Sequence, residues 1–209
     1  MKNYLFILLG SILINFLIIF LFKSYSILSN LIIISSLFLI ISSLIDASKS
    51  FKKKRIDFAR IISHSSFGLL VMFIGLNDIF SVEKDYNIKL GETKNFDNYS
   101  IELKNLEIEK FSNYKAVIGL LEIKNNKTNK KNILKPEIRI YENPQTLTYE
   151  AAIKTSVLKD YYLTMSNIDR SDYYNIKFQK KPLMIWIWIS VIMIVLGGFL
   201  RLFQNAKYN

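Results

Sequence analysis

The chain has 209 residues, 51% of them hydrophobic, with no cysteine, one histidine and a net charge of +11. The lack of cysteine excludes disulfides, zinc–thiolate sites, iron–sulfur clusters and CxxC redox chemistry, and a single histidine excludes a histidine-rich metal cage. The hydrophobic residues collect in long blocks toward both ends around a polar middle, which excludes an ordinary soluble globule.

Four blocks are long and apolar enough to span a membrane, for which about 20 residues are needed. They cover residues 4–22, 27–45, 61–80 and 183–203. The apolar stretch of the first block is too long for a signal peptide, and no small-residue cleavage site follows it. We therefore interpret the first block as a retained helix.

The loop at residues 46–60 predicts the orientation of the chain, because short basic loops stay in the cytoplasm. Its cations are Lys49, Lys52, Lys53, Lys54, Arg55 and Arg60. The N-terminus and the tail with Arg201 and Lys207 then end inside, and only Lys23 breaks the pattern. Nucleic-acid binding is excluded, since the densest basic stretch is held between two membrane helices.

These assignments predict three regions. Residues 1–80 form three transmembrane helices, residues 81–181 an external β domain, and residues 182–209 the fourth helix and a cytoplasmic tail. In the middle region Tyr99, Ile101 and Leu103 alternate with polar residues, which is the pattern of a half-buried strand. We expect an all-β sandwich or open barrel of six or seven strands. Residues 151–156 are interpreted as a short helical turn.

The one histidine, His64, lies inside the third span about one turn from its cytoplasmic end. An imidazole in hydrocarbon is costly unless it is paired, so an intramembrane histidine predicts a functional site. Two interpretations stay open at this point. His64 is either a ligand or donor at a functional site, or it hydrogen-bonds a serine of the second span such as Ser36 or Ser43.

Other polar residues in the spans are assigned to packing or to the membrane interface. Serines repeat every seven residues at Ser29, Ser36 and Ser43, which marks a helix-packing face, as does the pair at 197–198 in the fourth span. Trp186 and Trp188 are expected at the interface. The outer end of the third span is expected to reach the lipid headgroups through two polar side chains, Asn77 and Asp78.

Several stretches, in this order, resemble the CcmF family of cytochrome c haem lyases, and specifically its C-terminal portion. They are ARIISHSSFGLLVMFIG at 59–75, SVEKDYNIKLGE at 81–92, LKPEIRIYENPQTLTYEAAI at 134–153, KDYYLTM at 159–165 and KKPLMIWIWISVIMIVLGGFLRLF at 180–203. The resemblance covers most of the chain from about residue 60 onward. The run from Lys-Pro-Leu through Trp-Ile-Trp to Gly-Gly is its most specific element.

The resemblance implies that His64 is an axial ligand to a haem b held within the membrane. It also implies the activity of the family, which is the covalent attachment of haem to the CxxCH motifs of apocytochrome c. This attachment forms thioethers and requires reduced haem iron. Arg60 lies one turn closer to the cytoplasm, and its spacing from His64 suggests a haem propionate partner. No catalytic residue is assigned.

Two family features are absent: the tryptophan-rich haem-handling segment and the second transmembrane histidine. Ser65 and Ser66 also stand where an apolar residue and a glycine are usual. We therefore expect a split or degraded gene, with the missing ligand and segment on an N-terminal CcmF-like chain. The other expected partners are a haem chaperone, apocytochrome c and its thiol-reducing partner.

The predicted function is that of a C-terminal subunit of a split haem lyase (holocytochrome c synthase) that is not active alone. The alternative is a non-catalytic membrane anchor that presents an external β domain for assembly. A transporter is weakly supported, because the four spans show neither an inverted repeat nor a broken helix. The expected location is the bacterial inner membrane with the β domain in the periplasm, or else the mitochondrial inner membrane.

Overall fold

A computed structural model of the protein describes residues 2–22, 26–52, 57–168 and 171–206. The chain divides into two compact units. The helical unit comprises Met1–Ser81, Val157–Lys159 and Pro182–Asn209. The β domain comprises Val82–Ser156 and Asp160–Lys181.

The described part of the helical unit contains four α-helices, each long and apolar enough to cross a membrane. In chain order they are α1 (Lys2–Phe22), α2 (Ile27–Lys52), α3 (Phe58–Phe80) and α4 (Met184–Ala206). Apolar runs of this length become helices because a helix satisfies its own backbone hydrogen bonds in hydrocarbon. The prediction of four membrane helices, with the polar segment between the third and fourth, is confirmed.

Five helix ends differ from the predicted boundaries, and the end of α2 and the start of α3 have a clear cause. The α2 helix continues to Lys52, so residues 46–52 of the predicted loop are helical. Lys49 and Lys52 lie in its last turn, where the partial negative charge of a helix C-terminus stabilises cations. The α3 helix begins at Phe58, because the Asp57 carboxylate accepts a hydrogen bond from the Arg60 amide at 3.1 Å and caps it.

Five of the cations considered for the orientation of the chain lie outside the described residues. They are Lys23, Lys53, Lys54, Arg55 and Lys207. The cytoplasmic placement of this end of the helices therefore stays a prediction from the positive-inside rule.

Small residues form the contacts between helices. A Cβ on Gly68 would lie 2.7 Å from Ile40 Cγ1 of α2, and one on Gly197 would lie 2.9 Å from the Ser63 amide of α3. The predicted serine face of α2 is confirmed, since its three serines at 29, 36 and 43 are buried. The second glycine of the pair, Gly198, does not pack, because no atom lies within 4 Å of the place of its Cβ.

The β domain contains ten strands within the residues that the structure describes. They are β1 (Val82–Ile88), β2 (Thr93–Phe96), β3 (Tyr99–Lys110), β4 (Tyr114–Asn125), β5 (Lys131–Leu134), β6 (Glu137–Glu142), β7 (Gln145–Glu150), β8 (Ala152–Lys154), β9 (Lys159–Asn167) and β10 (Tyr174–Pro182).

The strands form two sheets that enclose one core. The four-stranded sheet has the order β1-β10-β9-β8, and the six-stranded sheet has the order β2-β3-β4-β6-β7 with β5 paired to β4. Ile101, Leu103 and Leu121 of the six-stranded sheet and Leu163 and Phe178 of the other have no exposed surface. The predicted all-β domain is confirmed, and of the two expected forms the sandwich is correct.

The strand count and one local assignment were wrong. The structure has ten strands among the described residues instead of six or seven, because short strands such as β2, β5 and β8 carry too few residues to show an alternation. Residues 152–154 form β8 and not a helical turn. The pairing of Ala152 with Leu163 in β9 decides this, and local sequence does not contain that partner.

Candidate functional site

His64 lies on α3 with an exposed side chain and borders two concave surfaces of the helical unit. One is a cavity of about 640 Å³ lined by residues of α1, α2 and α3. The other is a groove of about 350 Å³ lined by residues from Asp57 to His64 and by Gly197, Gly198 and Arg201. The imidazole is therefore accessible beside α3 from two sides.

The imidazole of His64 has no hydrogen-bond partner among the described residues. The two serines proposed as partners bond elsewhere: the Ser36 hydroxyl donates to the Ile33 carbonyl at 2.8 Å, and the Ser43 hydroxyl donates to the Ile61 carbonyl at 3.5 Å. The interpretation of His64 as a serine-bonded packing residue is therefore wrong. The Ser36 hydroxyl bonds its own helix, as serine in a helix commonly does, whereas the Ser43 hydroxyl bonds the backbone of α3, so neither donates to His64.

Arg60, the second predicted site residue, belongs to a cluster of two arginines and two aspartates. Its guanidinium lies 3.2 Å from the Asp46 carboxylate and 4.0 Å from that of Asp57. Asp57 also pairs with Arg201 of α4 at 3.0 Å. Because these side chains are partly exposed, each pair contributes little to stability. The cluster has no net charge, so a ligand carboxylate at Arg60 would compete with Asp46.

Two glycines of α4 line the groove beside His64. Gly197 is in close contact with α3, whereas Gly198 faces open space. A side chain at position 198 would occupy the groove that His64 also borders. The groove is therefore open at Gly198, and its lining includes the His64 imidazole and two arginines, Arg60 and Arg201.

The polar residues at the other end of α3 bind protein atoms. The Asn77 amide donates to the Pro182 carbonyl, and the Ser29 hydroxyl donates to the Asp78 carboxylate. The expectation that Asn77 and Asp78 reach the headgroups stays a prediction, and both side chains also have a protein partner. Both contacts join residues far apart in the sequence, and a polar group at a span end has more partners available than lipid.

The tryptophans differ from each other. The indole of Trp186 donates to the Val157 carbonyl at 2.9 Å, and its ring centroid lies 6.0 Å from that of Phe73. Trp188 is 63% exposed, as an interfacial residue would be. The interfacial position expected of both tryptophans stays a prediction.

Three β domain residues in the stretches that resemble the CcmF family, Arg139, Asp160 and Tyr161, have structural roles. Arg139 pairs with Glu137 at 2.8 Å and lies over the Tyr114 ring at 5.0 Å. The hydrogen bond to Glu137 raises the pKa of Arg139. Asp160 is buried and accepts from the Ser156 amide at 3.1 Å, and Tyr161 is buried in the core. We find no arrangement of catalytic groups among these described residues.

Sequence reasoning missed Asp46, Lys49 and Tyr4, which line the larger cavity with His64. The sequence did offer a signal for Asp46: an Asp at the end of one span and an Arg at the start of the next can form an ion pair, as Asp46 and Arg60 do. Among the described residues no group of three His, Cys, Asp or Glu could hold a metal ion. Haem iron does not need such a group, because the porphyrin supplies four nitrogens and the protein only axial ligands.

The β domain matches a family model described as the CcmF C-terminal beta-sandwich, over residues 79–182. A relative from Haemophilus influenzae named cytochrome c-type biogenesis protein CcmF is 24% identical over 159 residues, which is 76% of this chain and 24% of the relative. An uncharacterized mitochondrial protein from Marchantia polymorpha is 34% identical over 74 residues, which is 35% of this chain and 23% of that protein.

A solved structure titled cytochrome c heme lyase CcmF has the same fold, with a TM-score of 0.70 at 14% identity over 93% of this chain and 33% of that one. The chain spans about a quarter of the length of the curated CcmF relatives that it matches. The match includes both the helices and the β-sandwich. The chain is thus an integral membrane protein of the CcmF family and corresponds to its C-terminal portion.

Proposed function

We propose that this protein acts in cytochrome c biogenesis as the C-terminal component of a haem lyase, with His64 as an axial ligand of a membrane-embedded haem b. The single observation that carries the proposal is the imidazole itself. It lies on a membrane helix, is exposed, and has no hydrogen-bond partner among the described residues. Such a group is costly in hydrocarbon unless something outside this chain pairs with it.

The residues around His64 fit a haem. The groove between α3 and α4 is open at Gly198, where a side chain would fill it. Arg60 and Arg201 line the same groove and are the cations that can hold propionate carboxylates. A propionate would join their cluster with Asp46 and Asp57, so we expect Arg60 to contribute less than His64 to haem affinity. When bound, the haem supplies one-electron chemistry.

The remaining parts of a lyase come from partners under this proposal. A CcmF-like region with the tryptophan-rich segment supplies the second histidine, a haem chaperone delivers the haem, and apocytochrome c presents CxxCH thiols kept reduced by a thiol-reducing partner. The β domain lies on the periplasmic side of the bacterial inner membrane, or in the corresponding position in mitochondria. The basic end of α2 on the cytoplasmic side supports this orientation.

The test is the absorbance spectrum and haem content of this chain purified in complex with the chain that carries the tryptophan-rich segment. His64→Ala should abolish the reduced haem b band, and added imidazole should restore part of it. Ser65→Ala is the matched control on the same helix turn, because that hydroxyl bonds only its own helix, 2.7 Å from the Ile61 carbonyl and 3.2 Å from that of Ile62.

Gly198→Leu tests the groove independently of the ligand. It should lower haem content while His64 remains. If His64→Ala keeps the band and cytochrome c still matures, the ligand assignment fails. The alternative function, a non-catalytic anchor for the β domain, predicts instead that the purified complex loses no haem when this chain is removed.

A further inference from the structure

The larger cavity beside His64 has a polar end of which the proposed function uses only Arg60 and its partner Asp46. Tyr4, Ser42, Asp46, Lys49 and Arg60 contribute to its lining, and its volume is about 640 Å³. The cavity is formed by α1, α2 and α3 at the end of the helical unit where α2 terminates in lysines. Its chemistry is distinct from that of the groove at Gly198.

The polar groups of this cavity are not balanced among themselves. Arg60 and Asp46 pair at 3.2 Å and cancel, whereas Lys49 has no ion-pair partner among the described residues. The Ser42 hydroxyl oxygen is buried and has no hydrogen-bond partner within the described part of the chain. A free cation and an unsatisfied hydroxyl in one cavity are complementary to a singly charged anion with several acceptor oxygens.

An apolar groove of about 370 Å³ adjoins the polar end. It lies between α1 and α2 and is lined by Phe6, Ile7, Gly10, Ile41 and Ile45. Ile7 and Ile45 line both the cavity and the groove, so the two surfaces are continuous. A free inorganic anion would use only the cationic end, whereas an amphiphile uses both.

We propose that this surface binds one anionic phospholipid, with its phosphate at Lys49 and Ser42 and an acyl chain in the groove between α1 and α2. Basic pockets between membrane helices recognise anionic headgroups in this way. The bound lipid fills the cavity on the α1–α2 side of His64 and leaves the α3–α4 groove free. The inference does not depend on the haem assignment, because none of its groups is an iron ligand.

The experiment is native mass spectrometry of the full chain in detergent, titrated with phosphatidylglycerol or with phosphatidylcholine of the same acyl chains. We expect one retained phosphatidylglycerol and no retained phosphatidylcholine. Lys49→Gln should weaken phosphatidylglycerol binding about fivefold, the effect expected for one lysine at a membrane surface. Lys52→Gln is the matched control, since Lys52 lies in the same helix turn but does not line the cavity.

Gly10→Leu tests the acyl groove with all charges intact. No atom lies within 4 Å of the place of a Cβ there, so the helix pair can accept the side chain, which then occupies the groove. It should also weaken phosphatidylglycerol binding. Binding that survives Gly10→Leu unchanged would limit the ligand to an anion and overturn the lipid assignment.

Two further outcomes would overturn the proposal. Equal effects of Lys49→Gln and Lys52→Gln would mean diffuse attraction to a basic helix end without a site. If Lys49→Gln instead lowers the haem content of the complex and leaves phosphatidylglycerol binding intact, the cavity takes a haem carboxylate. Failure of the haem test on His64→Ala alone would leave the lipid result unaffected, so the two proposals can be separated.

Discussion

The helical unit and the β domain use opposite residue types to hold their elements together. In the β domain large apolar side chains are buried, and the ring centroids of Phe96, Tyr99, Tyr161 and Phe178 each lie within 6 Å of at least two of the others. In the helices most large apolar side chains are exposed, such as Phe20 at 78%, and few are buried, such as Ile33. Glycine and serine fill the contacts between helices instead. Lipid removes the hydrophobic gain of burial, so close backbone packing takes its place.

The largest expected effect is in the β core. Phe178 has no exposed surface and contacts three aromatic rings, so Phe178→Ala should lower the free energy of unfolding of the domain by about 3–5 kcal/mol. Hydrogen exchange of the β-strand amides in the full detergent-solubilised chain measures this loss. Ile108→Ala is the control, because Ile108 is 78% exposed and should change stability by no more than about 0.5 kcal/mol. Similar losses of stability from both substitutions would contradict the conclusion that buried apolar side chains stabilise the β domain.

A smaller effect is expected where α2 contacts α3. A methyl group on Gly68 would lie 2.7 Å from Ile40 Cγ1 and 3.2 Å from the Ile40 amide nitrogen, so the helices must separate. Gly68→Ala should cost about 1–3 kcal/mol, measured as thermal loss of helical circular dichroism in detergent. Gly10→Ala faces open space and should instead stabilise its helix by up to about 1 kcal/mol. If Gly68→Ala leaves the thermal stability unchanged, the close packing of α2 against α3 at this glycine is contradicted.

The smallest effect concerns charge on the surface of the β domain. Glu122 accepts hydrogen bonds from Lys104 at 2.7 Å and Lys131 at 2.9 Å, and these hydrogen bonds lower its pKa. A lowered folded pKa adds stability that is present above the ordinary carboxyl pKa of 4.5 and is lost as pH falls through the lower folded value.

Glu122→Gln should therefore flatten the acid side of the pH–stability curve of the β domain, with little change in the slope elsewhere. Denaturant unfolding of the domain signal at a series of pH values below about 5 measures the effect. Glu109→Gln is the control, since Glu109 is exposed and has no ion-pair partner among the described residues. Equal curves for Glu122→Gln and the parent chain would contradict the lowered pKa.

Much of the fold could be predicted because its signals are local. Twenty apolar residues in sequence make a membrane helix wherever they lie, and the alternation at Tyr99, Ile101 and Leu103 indicates a strand before its partner is known. The short strand at 152–154 could not be predicted, because its only signal is the distant β9. The end of α2 was misplaced for a different reason. The helix continues beyond its apolar residues, because lysines in its last turn stabilise the helix C-terminus.

The sequence by itself determined the number of membrane helices, the all-β character of the middle segment and the position of a lone imidazole on α3. These depend on composition and on spacing along one element. Only the tertiary structure decided that, among the residues it describes, Ser43 bonds α3 and leaves His64 unpaired, that Gly197 packs while Gly198 stays open, and that Asp46 pairs with Arg60 and not with Lys49. Each of these depends on which groups of different helices meet, and that is set by packing between elements distant in the chain.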